Sequence, residues 1–294
     1  MNMTVTPHLL SLPESGASRG VERLVRGMPT SDGAGVRLLR VLTQDLQRRL
    51  DPFLMLDEFR SDNPNDYIAG FPDHPHRGFE TVTYLIAGCM QHRDNHGGSG
   101  LLETGGVQWM VAGKGIIHSE MPQQKEGRMQ GFQLWLNLPA KDKMTTPGYQ
   151  DIPNESLSHF HTETGVSGAL IAGRIGELAG PVEKPHTEPL LVDLTLPAGT
   201  SVHVPIPAGH NAFAYVFDGE ATIGGQAVSM QTMALLDNQT ADGVTLTNQQ
   251  ATPARIYLVA GHPINEPIAQ YGPFVMNTRA ELEQAFMDYQ SGKF

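Results

Sequence analysis

Cysteine is almost missing from this chain: Cys89 is the single one in 294 residues. An internal disulfide framework and a cysteine-based zinc knuckle are therefore excluded, and a reducing, cytoplasmic setting is expected. Long apolar runs are missing too. The longest, such as VTYLIAGCM, fall far short of a bilayer-spanning helix, and the opening MNMTVTPHLLSLPESGASRG has no basic stretch followed by an apolar core. Neither export nor membrane attachment is expected. Basic residues are outnumbered, 20 against 31 acidic, for a net charge of −11. Nucleic acid is not expected as a direct partner on that balance. The glycine-rich HGGSG (96–100) lacks the Lys-Ser or Lys-Thr ending of a phosphate loop.

What is present is turn chemistry and short apolar strands. The chain holds 32 Gly and 21 Pro, with 39% hydrophobic and 17% charged residues, a composition far from disordered and coiled-coil proteins. Segments such as VRLLRVL (36–42), PFLMLDEF (52–59), FETVTYLIAG (79–88), VQWMVAG (107–113) and GFQLWLNLP (131–139) are separated by Gly, Pro, Asn and Asp clusters. That rhythm predicts an all-β unit. A polar, Pro-bearing stretch at 140–160 breaks it, and strands resume beyond, with FDGEATIGG reading as a hairpin whose glycines supply positive φ. Length and pattern predict two domains, 1–150 and 151–275, followed by a helix within 276–294. In that helix Thr278 and Glu281 form a capping box, Leu282, Ala285, Phe286 and Tyr289 form one stripe, and Gly292 follows the last turn.

Chemistry concentrates in two short strings. FPDHPHRGFE carries His74 and His76, and GKGIIHSEMP carries His118 and Glu120. Residues two apart on a strand project from the same face, so two such pairs on facing strands offer three imidazoles and one carboxylate to one ion. That donor set suits a divalent transition metal, whether iron, nickel, copper, zinc, manganese or cobalt, and leaves coordination positions open. A His-x-His pair alone is weak, since 12 histidines in 294 residues also produce His159 and His161. Those sit in the polar stretch and read as exposed linker histidines, His92 and His96 read as flanking a turn, and Cys89 as a buried inert thiol. His203 and His210 are seven apart without a joining pair, so a second metal site is not expected.

Flanking glycines complete the context: Gly70 and Gly78 around the first pair, Gly106, Gly113 and Gly115 before the second. Together these strings resemble the two motifs of the cupins. DPFLMLDEF, FPDHPHRGFETVTYL, GGVQWMVAGKGIIHSEMP, GFQLWLNLPAKDKM and MNTRAELEQAFMDYQSGK, in that order, narrow the resemblance to the pirin family of bicupins, from about residue 36 onward. The resemblance implies two cupin (double-stranded β-helix, or jelly-roll) barrels, the first metal-bearing and the second metal-free, with a C-terminal α-helix. It places the ligands on His74, His76, His118 and Glu120. Glu80 stands where general cupins have a further ligand, but the resemblance assigns it a structural role, and Pro122 replaces a frequent Asn.

The implied activity is that of bacterial pirins, quercetin 2,3-dioxygenase: iron-dependent opening of a flavonol ring by O2 with release of carbon monoxide. A small aromatic substrate and O2 would share the open positions. Glu120 would take the proton from the substrate hydroxyl, and Phe71 and Gln133 are candidate lining residues. The family also implies a second reading, a non-catalytic regulator that binds a transcription factor or metabolic enzyme, with the metal's redox state as switch. A redox-neutral hydrolase or isomerase is a third.

Overall fold

The structure is a computed structural model, which describes residues 6–238 and 241–294. Its contacts divide the chain into two units, each assembled from non-contiguous segments: residues 28–154 with 264–294, and residues 1–27 with 155–263. Both are β-structures, and among the described residues the α-helix is Arg279–Gln290. The expected boundary at 150/151 thus falls at 154/155. The expected ranges also followed chain order, whereas the terminal segments join the unit formed by the other end of the chain. Local hydropathy does not encode that return.

In the unit built on 28–154, a seven-stranded sheet runs in spatial order Gly148–Ile152, Val107–Val111, Phe79–Ala87, Met129–Asn137, Phe53–Ser61, Val36–Leu42, Met28–Asp32. A four-stranded sheet of Phe71–His76, Ile116–Pro122, Cys89–Asp94 and Ser99–Glu103 faces it. Alternation along each strand sends every second side chain inward. One end of the interior is apolar, with Val36, Leu38, Phe59, Leu85, Met90 and Leu102 in one cluster. The helix docks against the hairpin Ala269–Tyr271/Phe274–Met276. Phe286 lies edge-on to Phe274 at 4.8 Å, and Ala285 is fully buried. Its capping box is formed as the sequence predicts, Thr278 accepting from the Glu281 amide while the Glu281 carboxylate accepts from the Thr278 amide.

In the other unit, an eight-stranded sheet includes Leu190–Leu196, Ala254–Gly261 and Asn211–Asp218, with the N-terminal strands His8–Leu9 and Val21–Arg26 at its two edges. Its interior is filled by apolar side chains, among them Val192, Leu194, Val204, Val216, Leu246 and Ile256. The predicted hairpin is present one strand later than its first letters suggested. Gly224 and Gly225, both at positive φ, turn Ala221–Ile223 into Gln226–Val228. His159 and His161 are not in a linker: they lie on the strand Ser158–His161, paired with Ser167–Ala172, and are half-buried. His203 is held by Thr245 at 3.0 Å and Asp242 at 2.9 Å, and His210 by the Glu188 carbonyl at 3.1 Å.

Candidate metal centre

Strands Phe71–His76 and Ile116–Pro122 run antiparallel, with Ile116 opposite His76 and His118 opposite His74. Beyond that pair the register shifts, so that Phe71 rather than Pro72 faces Glu120. The bulge re-aims the strand between His118 and Glu120, so that the two do not present their side chains in simple register with His74 and Pro72. Nitrogen atoms of His74, His76 and His118 all lie within 4.8 Å of one another, and the ring centroids are 4.4 to 5.0 Å apart.

His76 and His118 are 3% and 1% exposed. Among the described residues, His76 Nδ1 and both ring nitrogens of His118 have no hydrogen-bond partner. Buried polar atoms are normally satisfied, so two buried rings with unsatisfied nitrogens, clustered with His74, are what a cation-binding site requires. Burial, reinforced by the neighbouring imidazoles, holds the pKa of both rings well below the usual histidine value, which keeps them in the neutral, metal-binding form. His74 uses Nδ1 against the Pro72 carbonyl at 2.8 Å, which leaves Nε2 for an ion. The residues present therefore fit a transition metal.

Glu120 stands beside this triad rather than within it. Its carboxylate accepts from Gln133 Nε2 at 3.1 Å and lies 3.1 Å from the Thr83 hydroxyl, which also lies 2.7 Å from Gln133 Oε1. Burial raises the Glu120 pKa, opposed first by His74 and then by the Thr83 and Gln133 hydrogen bonds. Both residues expected to line the site, Phe71 and Gln133, border a cavity of about 660 Å³ that also reaches His74, His76, Glu120 and Trp135. Glu80 lies on the other side of its strand from Thr81 and Thr83, so alternation turns it away from the imidazoles.

Several contributors were not read from the sequence. His92 is not at a turn. It lies directly opposite Glu120 on Cys89–Asp94, 3% exposed, hydrogen-bonded to Gln108 and stacked on Tyr149 at 4.9 Å. Cys89, at the start of that strand, is half-exposed, not buried. Arg77, next to His76, anchors the ligand strand: it donates to the Lys114 carbonyl at 2.6 Å and to Asp288 at 2.8 Å, and stacks over Phe294. The HPHRG string marked Arg77 by its neighbours, but its partners lie far along the chain.

A double-stranded β-barrel with a three-imidazole cluster on its inner wall defines a metal-binding cupin. The family follows from comparison with known proteins. The Pirin model matches residues 35–136 and the Pirin C-terminal cupin domain model residues 191–294. The chain belongs to the pirin family. A Pseudomonas aeruginosa protein provisionally named as a quercetin 2,3-dioxygenase is 51% identical over 279 residues, covering 93% of this chain and 97% of that protein. Human pirin is 39% identical over 285 residues, covering 95% and 94%. A crystal structure of quercetin 2,3-dioxygenase from Acinetobacter baumannii superimposes with a TM-score of 0.88 at 32% identity, over 95% of this chain and 99% of that one.

Proposed function

We propose that this chain is a metal-dependent dioxygenase that opens flavonols such as quercetin with O2 and releases carbon monoxide, using iron held by His74, His76 and His118. The observation that carries the reading is the clustering of three imidazoles, two of them buried with unsatisfied nitrogens, beside a flavonoid-sized cavity with apolar and polar walls. The quercetinase names borne by relatives of high coverage support it. When bound, the metal supplies Lewis acidity and a redox couple that dioxygen and an electron-rich enolate can share.

The protein's own residues do the rest. Glu120 accepts the proton of the substrate's enol hydroxyl at its carboxylate oxygen, and it would be the nearest carboxylate available to a metal held by the three imidazoles. Gln133 and Thr83 fix that carboxylate, so its orientation is set before substrate arrives. Phe71, Trp135, Leu54 and Met55 line the slot and exclude water from the electron-rich anion.

The test is anaerobic iron loading followed by oxygen uptake and carbon monoxide detection with quercetin. Turnover in the wild type and a loss of at least about 100-fold in Glu120→Gln, with metal content retained, is expected. Full metal occupancy without oxygen-dependent turnover of any flavonol overturns the enzymatic reading in favour of a metal-binding regulator of a protein partner. Activity with zinc that ignores oxygen identifies a hydrolase or isomerase.

A further inference from the structure

Register across the seven-stranded sheet aligns one unbroken row of polar residues: Asp151, Gln108, Thr83, Gln133, Asp57 and Arg40, each the direct cross-strand partner of the next. The row faces the barrel interior, because Glu120 on the opposite sheet bonds to Thr83 and Gln133, and His92 bonds to Gln108. Four of the six are thereby engaged with one another or with the opposite sheet. Arg40 and Asp57 border the cavity, and among the described residues their side-chain hydrogen bonds are to each other and from Arg40 to Asp32. Asp57 is only 2% exposed while the Arg40 side chain keeps 31% exposure, so a buried carboxylate is costly to desolvate here and is matched by a cation that still faces the open space.

Arg40 is also incompletely used. Its Nε and Nη2 clasp the two Asp57 oxygens at 2.9 and 2.7 Å, and Nη2 lies 3.5 Å from Asp32. Among the described residues Nη1 has no partner. Resting on the flavonol reading above, we propose that Arg40, held rigid by Asp57, is a specificity-determining residue whose Nη1 binds a phenolic oxygen on the substrate ring remote from the metal. Arg40 lies two strands beyond Gln133, about 10 Å away at ordinary sheet spacing. That separation matches a substrate whose enol end meets Glu120 while its far aryl ring reaches Arg40. Apolar rows flank the polar one, Trp135 and Met55 on one side and Phe59 and Leu38 on the other. They form a slot for a flat ring system whose oxygens point along the floor. The substrate class is thus a flavonol hydroxylated on its outer aryl ring.

The experiment compares anaerobic binding of quercetin with that of galangin, which lacks the outer-ring hydroxyls, to the iron-loaded full chain by absorbance titration. The wild type is expected to hold quercetin about tenfold tighter, the worth of one charge-assisted hydrogen bond. Arg40→Met and Arg40→Lys are each expected to bring the ratio near one. The lysine variant keeps a cation for Asp57 and so remains folded if the methionine variant does not. Equal affinities in the wild type, or a ratio that survives in Arg40→Lys, overturns the assignment of Arg40 while leaving flavonol binding and turnover intact. Failure of the fully metal-loaded protein to bind either flavonol sinks the flavonol reading, and this assignment with it.

Discussion

Lys143 carries an ammonium into the interior, 1% exposed, where it donates to the Gly78 and Val275 carbonyls and to Asn137 Oδ1 at 2.8 to 3.0 Å. Burial lowers its pKa to about 8, opposed by Glu266 and other carboxylates. The folded pKa lies below the unfolded value, so the unfolded chain binds more protons between pH 8 and about 10.5, and this group adds stability as pH rises through that window. Denaturant titrations should show the wild type gaining on Lys143→Met from pH 8 to 10, by up to about 3 kcal/mol. Below pH 8 the difference should be flat. At the metal centre, His118→Ala removes the most buried of the three rings. Elemental analysis should find metal content well below one ion per chain, with the thermal midpoint of the metal-free protein little changed. His74, His76 and His118 were legible because a period of two is written in the sequence itself. Arg40, Asp57 and His92 were not, because their roles depend on which residue stands across the sheet, and register belongs to pairs of strands.

Strands with an apolar face were legible as elements: Val36–Leu42, Phe79–Ala87 and Val107–Val111 all fall where hydropathy placed them. Val21–Arg26 and Met28–Asp32 were missed. Both are edge strands with mostly exposed side chains, and an edge strand needs little hydrophobic pattern to pair. The C-terminal helix was legible through its cap, and Thr278→Ala should cost about 1 kcal/mol of stability by loss of the side-chain acceptor for the Glu281 amide. Differential scanning calorimetry checks it. A sharper effect is expected at Gly131, the site of closest approach within Met129–Asn137. A methyl group there would meet the Phe59 ring at 2.5 Å and the Tyr84 carbonyl at 2.6 Å. Gly131→Ala should lower stability by roughly 1–3 kcal/mol and, by pushing Phe59 into the slot, weaken flavonol binding.

At the scale of the whole molecule, each unit closes with a segment from the far end of the chain. The barrel that carries the imidazole cluster depends on residues 264–294: the Val275 amide donates to the Arg77 carbonyl, Pro273 accepts from the Arg77 amide, and Asp288 holds the Arg77 guanidinium. A fragment of residues 28–154 should therefore retain metal poorly and be cleaved readily by trypsin. Addition of a 264–294 peptide should restore protection. A boundary at 150 and a second domain running to 275 were the natural reading of a text taken in order. The return of the chain could not be seen there, because it rests on contacts some two hundred residues apart, such as Arg77 with Asp288.

That return also sets a timetable for maturation. During synthesis, residues 155–263 leave the ribosome before 264–294 do, so the strand bearing His74 and His76 waits for its last anchors until the neighbouring unit's sequence has already emerged. If the imidazoles hold a metal as proposed, its uptake is expected to be late, governed by the ion available to a finished polypeptide rather than by what greets a nascent chain.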